Sequence, residues 1–220
     1  MTIGVTIDGK HCLDDLGMYL TEAVISPPEV RTNYVDIPGR DGQLDLSTAL
    51  DGEIHYQNRT ISLTFVSTSA LSGMSWPEFF SSMASLLHGQ KAILAFDGDD
   101  GWYYSGRGAI SSYEMDGTRW TLKVDFSCDP WRYKEEQTEV SASLTEEDTE
   151  ISLSCDRMPV VPTITVDAET VLTWGADSYT VDAGSHRLPG IRLTEGTHTL
   201  KARTTAGTGT ITITYQEGSL

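Results

Sequence analysis

The segment Asn33-Tyr-Val-Asp-Ile-Pro-Gly-Arg-Asp-Gly-Gln-Leu-Asp-Leu-Ser-Thr-Ala-Leu50 decides the fold of the first half of this chain. Two stretches with alternating apolar side chains, 31–37 and 43–46, flank the turn at 38–42. Glycine adopts positive φ without steric cost, and proline fixes φ at the start of a turn. The pattern therefore predicts a long β-hairpin. An apolar hairpin of this length cannot bury both faces within a small domain, so it is expected to be an interaction surface.

The residues after this hairpin predict a strand and then a helix. Apolar side chains alternate over 59–66, which indicates a strand buried on one face. Ser75 and Glu78 have the spacing of a capping box, Pro77 suits the first turn, and Gly89 ends the pattern. The apolar stripe of the helix comprises Phe79, Phe80, Met83, Ala84 and Leu87. One amphipathic helix among strands is expected to pack its stripe on a sheet, as in an α+β fold or a sandwich with a helix attached.

Short strands continue to the end of the chain. Segments 103–113 and 118–126 face each other across Asp116-Gly117, a strong hairpin signal. Beyond residue 160, turns recur roughly every eight to 12 residues, which is the rhythm of β-sandwiches and jelly rolls. The predicted fold class is therefore mainly β.

The charge distribution suggests where the chain divides. Seven acids and one lysine fall between residues 134 and 150, and such self-repelling segments favour linkers. We predict a first domain at 1–133, an acidic linker or domain edge at 134–158, and a C-terminal domain at 159–220, or from about 138.

Composition excludes several functions. The chain has 15 basic and 32 acidic residues, a net charge of −17, which argues against specific nucleic-acid binding. No basic leader or apolar run of 18 residues occurs, so neither a signal peptide nor membrane insertion is expected. The odd, widely spaced cysteines Cys12, Cys128 and Cys155 predict buried thiols in a reducing cytoplasm.

No catalytic or cofactor-binding motif occurs, and we expect neither a metal nor a cofactor. The segment Asp97-Gly-Asp-Asp-Gly101 begins like a calcium loop, but it lacks the ligands at the fifth and twelfth positions, so a turn with solvated acids is the better interpretation. Trp174 and Tyr179 are candidate glycan-stacking residues, although core packing is the commoner role of such side chains.

Several motifs in order resemble the distal tail proteins of long-tailed bacteriophages and prophages. They are Pro38-Gly-Arg-Asp-Gly-x-Leu-Asp-Leu46, Tyr56-x-Asn-Arg59, the helix with Trp76, Tyr103-Tyr-x-Gly106 and Asp129-Pro-Trp-Arg-Tyr133. The resemblance covers Ile7 to Tyr133 best. It implies an N-terminal β-sandwich with one helix and an extended hairpin, and a small C-terminal sandwich, galectin-like or jelly-roll.

The same resemblance implies a non-enzymatic virion protein, made in the cytoplasm of the bacterial host. It would form a hexameric ring, or hub, that joins the tail tube protein to the tail-associated tip protein, or baseplate, and to tape-measure and receptor-binding proteins. The expected subunit-interface residues are Tyr34, Ile37, Pro38, Gly39, Arg40, Asp41, Gly42, Leu44, Leu46, Tyr56 and Arg59.

Two other functions remain open from the sequence. A carbohydrate-binding module for host-surface glycans would use Trp174 and Tyr179. A glycan hydrolase would need a carboxylate pair, but with 32 acids the presence of such a pair carries no information.

Overall fold

The computed structural model describes residues 4–68, 71 and 73–220. They form two compact units, with the boundary between Arg132 and Tyr133. The described residues contain one α-helix and nineteen strands, and no helix among them is long and apolar enough to span a membrane. The predicted mainly β class, with one helix, an extended hairpin and a small C-terminal sandwich, is confirmed.

The first unit is built on one antiparallel sheet. Its elements are β1 (Val5–Ile7), β2 (Lys10–His11), β3 (Met18–Ile25), β4 (Tyr34–Asp36), β5 (Gln43–Asp45), β6 (Arg59–Ser67), α1 (Trp76–Leu87), β7 (Lys91–Phe96), β8 (Trp102–Asp116) and β9 (Arg119–Cys128). The strand order is β2-β1-β7-β8-β9-β6-β3, while β4 and β5 pair only with each other.

This sheet curls until its two ends meet. Laid flat, seven strands would hold the outer two about 29 Å apart. Instead, the Met18 amide at the start of β3 donates to the Cys12 carbonyl just after β2, at 2.8 Å. The Cys12 amide in turn donates to the Val5 carbonyl of β1 at 2.9 Å. The sheet therefore forms facing layers around one core, which is how the N-terminal part becomes a sandwich.

The helix closes this core as its pattern predicts. The Glu78 carboxylate accepts hydrogen bonds from the Ser75 hydroxyl at 2.6 Å and the Ser75 amide at 3.0 Å, and these bonds lower the Glu78 pKa. Phe79, Met83 and Leu87 are buried in the first core. Each such side chain contributes about 1.5–3 kcal/mol on burial.

The second unit is a sandwich of two four-stranded antiparallel sheets. The eight strands of the two sheets are β11 (Thr138–Thr145), β12 (Thr149–Cys155), β13 (Thr163–Val166), β14 (Thr170–Trp174), β15 (Asp177–Val181), β16 (Gly184–His186), β17 (Gly196–Thr204) and β18 (Thr208–Tyr215). Two short strands outside these sheets, β10 (Arg132–Lys134, across the boundary) and β19 (Gly218–Ser219), pair with each other. The sheet orders are β11-β18-β13-β16 and β12-β17-β14-β15. Alternate side chains from both sheets fill one core.

The acidic segment 134–158 belongs to this sandwich. It contains β11 and β12, which pair along their length with β18 and β17 and are the outer strands of the two sheets. Leu144, Ile151 and Leu153 point into the core, whereas most of the acids lie on the solvent side. Composition predicted an acidic linker or domain edge, because averaging over the segment hides this alternation.

A nearly buried carboxylate ties the C-terminus to the start of the second unit. The Glu217 side chain is hydrogen-bonded by Thr138 and by Lys134, whose Nζ lies 3.0 Å from Oε1. Burial by itself raises the Glu217 pKa, but these hydrogen bonds outweigh it and leave the pKa below its usual value. The carboxylate is therefore charged and partnered at neutral pH.

Candidate subunit interface

The segment that links β3 to β6 forms a two-stranded ribbon, here called the arm (residues 29–57). At its base, the Gln57 amide donates to the Glu29 carbonyl at 2.7 Å, and Val30 bridges Tyr56. Farther out, β4 pairs with β5 in the register Tyr34 with Asp45 through Asp36 with Gln43. The arm is thus an extension of the β3–β6 ladder beyond the sheet.

The tip of the arm is a turn that requires glycine. Gly39 and Gly42 have φ values of 81° and 73°, which L-amino acids rarely adopt. A Cβ at either position would meet no atom within 4 Å. The requirement therefore comes from backbone conformation and not from crowding.

Neither face of the arm is covered by its own chain. Every residue from 31 to 43 is exposed, and the exposed apolar side chains include Tyr34, Val35, Ile37 and Leu46. Leu50 has 95% of its surface in solvent. A contiguous apolar surface of this kind on a folded unit marks an interaction site.

Short-range polar contacts shape the arm in place of a core. The Asp45 carboxylate accepts a hydrogen bond from the Ser47 amide at 2.9 Å, and hydrogen bonds from Ser47 lower the Asp45 pKa. Gln43 donates to Asp36 at 3.1 Å, and the His55 ring lies 2.9 Å from the Asp51 carboxylate. These contacts hold the ribbon in one shape before any partner binds, which lowers the entropic cost of association.

The structure separates the predicted interface residues into two groups. Nine lie on the outer ribbon and its turn: Tyr34, Ile37, Pro38, Gly39, Arg40, Asp41, Gly42, Leu44 and Leu46. Tyr56 is half-buried at the base, with its ring edge-on to Trp131 at 5.3 Å. Arg59 differs from expectation, because only 4% of it is exposed.

Arg59 is a core residue of the first unit. Its guanidinium donates to the Pro130 carbonyl at 2.5 Å and lies 5.3 Å from the centre of the Tyr104 ring. Burial lowers its pKa. Arg59 is the first residue of β6, and alternation along that strand places it on the same buried face as Ile61. It therefore supports the base of the arm and does not offer a surface to a partner.

Sequence reasoning missed four exposed large apolar residues of the arm, Val30, Val35, Leu50 and Ile54. Val35 lies between the predicted residues Tyr34 and Ile37, and it is exposed because no layer covers either face of the ribbon. Leu50 and Ile54 lie in an excursion between β5 and the base of the arm, where no periodic pattern exists. The sequence signal that could have identified Leu50 and Ile54 was the presence of hydrophobic side chains in a segment without periodicity.

The candidate glycan-stacking residues face the second core. Trp174 and Tyr179 are both half-buried and pack against that core. The Trp174 ring also stacks at 5.5 Å on the ring of His198. The acidic turn at 97–101 is likewise engaged, since Asp99 pairs with Arg132 at 2.8 Å and Asp97 lies 3.4 Å from His11. Within the described part of the chain, no group of three or more metal-ligating side chains is found.

The fold of the chain is similar to that of a solved phage protein. The crystal structure of the SPP1 Dit (gp 19.1) protein, described as a paradigm of the hub adsorption apparatus in phages that infect Gram-positive bacteria, superposes with a TM-score of 0.67. The match covers 98% of this chain and 99% of that chain, at 17% sequence identity. No protein-family model and no curated protein match the sequence. The resemblance to phage distal tail proteins is confirmed at the level of the fold.

Proposed function

We propose that this chain is a structural virion protein at the distal end of a phage tail, where six copies form a closed ring through their arms. The observation that carries the proposal is an ordered arm whose apolar side chains its own chain leaves uncovered. Fold similarity to a phage hub protein supports the same function. The proposed function is to bind other copies of the chain and other virion proteins, without catalysis and without a cofactor.

A closed ring allows the exposed apolar side chains of every arm to be buried against another copy. Each large apolar side chain gains about 1.5–3 kcal/mol when it is transferred from water into a contact. A second copy of the chain supplies that contact. Repeating one contact by rotation closes a ring and leaves no arm unpaired.

The ring would join the tail tube protein on one face to the tail-associated tip protein or baseplate on the other. Tape-measure and receptor-binding proteins are further partners. Each copy brings a charge of −17, so a ring of six is strongly acidic. An acidic lumen repels DNA and lets the genome pass without adhering.

Two matched substitutions test the arm. Ile37→Ser removes an exposed apolar side chain from the arm, and Ile93→Ser removes one from β7, elsewhere in the first unit. Mass photometry of the full chain is expected to show a ring for the wild type and for Ile93→Ser, and smaller species for Ile37→Ser. A wild-type protein that is monomeric at every concentration would contradict the proposal. Equal loss in the two variants would argue against a specific role of the arm.

No specific observation favours the carbohydrate-binding function, because Trp174 and Tyr179 contribute to the core of the second unit. A glycan array with wild-type protein and Trp174→Ala checks this directly, and saturable binding lost in the variant would revive it.

A further inference from the structure

The first unit has a second exposed apolar surface, separate in sequence from the arm. It is a groove of about 730 Å³ between the start of α1 and the end of the β8–β9 hairpin. Here it is called the groove, and its main lining residues are Met74, Trp76, Met115, Arg119 and Trp120. Met74 and Met115 are exposed, and Met115 has 57% of its surface in solvent.

Two local features of the fold build the groove. The Ser75–Glu78 cap starts α1 at Trp76, whose ring stacks at 4.7 Å on that of Tyr113 in β8. The β8–β9 hairpin continues past the last β6–β9 pair, Val66 with Thr121, and so carries Met115 beyond the end of β6. Trp120, which pairs with Met115, donates its amide to the Ser67 hydroxyl at 3.0 Å and packs against the first core. The groove therefore has aromatic walls and flexible methionine side chains, a combination that adapts to an apolar partner.

A ring needs two different surfaces on every copy. Contacts in a ring of more than two copies are heterologous, so the arm of one copy must meet another region of the next. Among the described residues, all fourteen exposed large apolar side chains belong to the first unit. Val24 and Ile25 in β3 and Val30 lie at the base of the arm. Tyr19 lies in β3 and Ile93 in β7, and the remainder outside the arm are Met74, Tyr113 and Met115 at the groove.

Charge is complementary between the arm and the groove. Between residues 31 and 55 the arm carries Asp36, Asp41, Asp45, Asp51 and Glu53 against two arginines, Arg31 and Arg40. The groove lining holds one charged residue, Arg119, and no acid. Arg119 makes no ion pair or hydrogen bond through its side chain within the described part of the chain. The acids Glu114 and Asp116 at the hairpin end lie next to the lining, where Arg40 at the arm tip would find a partner.

We infer that the groove receives the arm of a second copy of this chain, with the apolar side chains of the arm against Trp76, Met115 and Trp120 and with Arg119 facing its acids. Tryptophan and arginine are the side chains that most often dominate such contacts. The inference rests on the proposed ring function and names the receiving surface of that ring.

A mixing experiment with the full chain tests the inference. Ile37→Asp disables the arm and Met115→Asp disables the groove, while Ile93→Asp is the matched control on an exposed apolar site. Each disabled variant alone is expected to lose the ring, with self-association weakened about thirtyfold or more. An equimolar mixture of the two disabled variants is expected to form a heterodimer of twice the 24.1 kDa chain mass, because one intact arm meets one intact groove.

The outcomes separate the inference from the proposed function. If Met115→Asp assembles like wild type, or if the mixture stays monomeric while both variants melt like wild type, the inference is overturned and the ring proposal stands. A wild-type protein that never assembles removes both. Cysteine cross-linking covers the case in which an aspartate variant fails to fold. Ile37→Cys/Met115→Cys should give a ladder longer than a dimer, and each single cysteine variant should give none; the absence of the ladder from an assembled double variant also overturns the inference.

Discussion

The two units of this chain share a composition but treat their apolar side chains differently. The first unit has 9 basic and 18 acidic residues, and the second has 6 and 14, so both are acidic. Yet every exposed large apolar side chain of the described residues lies in the first unit, and the second has none. Acidity therefore does not distinguish the units, whereas uncovered apolar surface does.

The units differ in whether paired strands extend beyond the core. The second unit closes its core between two four-stranded sheets and faces its outer strands with acids. The first unit also closes its core, but it extends the β3–β6 ladder into the arm and the β8–β9 ladder past β6. A β-ribbon without a third layer exposes both faces, so its apolar residues await a partner.

Core truncation gives the largest expected effect and asks whether the two units are independent. Phe126→Ala in the first core should cost about 3–5 kcal/mol of unfolding free energy, and Leu200→Ala in the second about 2–5 kcal/mol, because each leaves a cavity at a fully buried site. Calorimetry measures the loss, and mass photometry measures assembly. Leu200→Ala should leave the ring intact below its melting temperature. A ring that dissolves would mean that the second unit takes part in assembly.

The pH dependence of the second unit is the next largest effect. Because the folded-state pKa of Glu217 is lowered, its contribution is present above the unfolded-state pKa near 4.3 and is lost as the pH falls through the lower folded-state pKa. Glu217→Gln should cost about 1–3 kcal/mol at pH 7 and much less in acid. Urea titrations of both proteins at pH 7 and at pH 3 check this. Equal losses at the two pH values would contradict it.

A glycine pair sharpens the comparison between assembly and folding. Gly39→Val in the arm and Gly175→Val in the second unit impose the same positive-φ strain, about 1–2 kcal/mol, with no atom near the new Cβ. Gly39→Val should weaken assembly about tenfold per contact. Its effect on the melting of the first core should be small. Gly175→Val should do the reverse, destabilising its own unit with assembly unchanged.

The smallest expected signal is the reaction of two buried thiols with a thiol reagent in the native protein. Burial raises the pKa of Cys128 to about 12 and that of Cys155 to about 11, so neither forms appreciable thiolate at pH 8. Cys128 belongs to the first core and Cys155 to the second. A thiol reagent should therefore label each cysteine only when its own unit unfolds, as followed by mass spectrometry in rising urea. Rapid labelling of either residue in the native protein would contradict this burial.

Much of the secondary structure could be predicted from local sequence signals. The cap at Ser75 and Glu78, the stripe of α1, the alternation along β6 and the Asp116-Gly117 turn each depend on neighbouring residues, and each prediction is confirmed. The turn at 38–42 could also be predicted, because glycine is the residue type that readily adopts the positive φ found at Gly39 and Gly42. These features determine secondary structure and the existence of the arm.

The tertiary structure alone decided which of these residues are covered. Arg59 and the exposed arm residues are close in sequence, but β9 and β3 flank β6 and no strand layer covers the arm. The acids of β11 and β12 became the solvent face of a sandwich only because β18 and β17 pair with them. The groove joins residues from α1, β8 and β9 that no local pattern connects. Burial depends on which segments from elsewhere in the chain pack against a residue, and a local window of sequence does not contain that information.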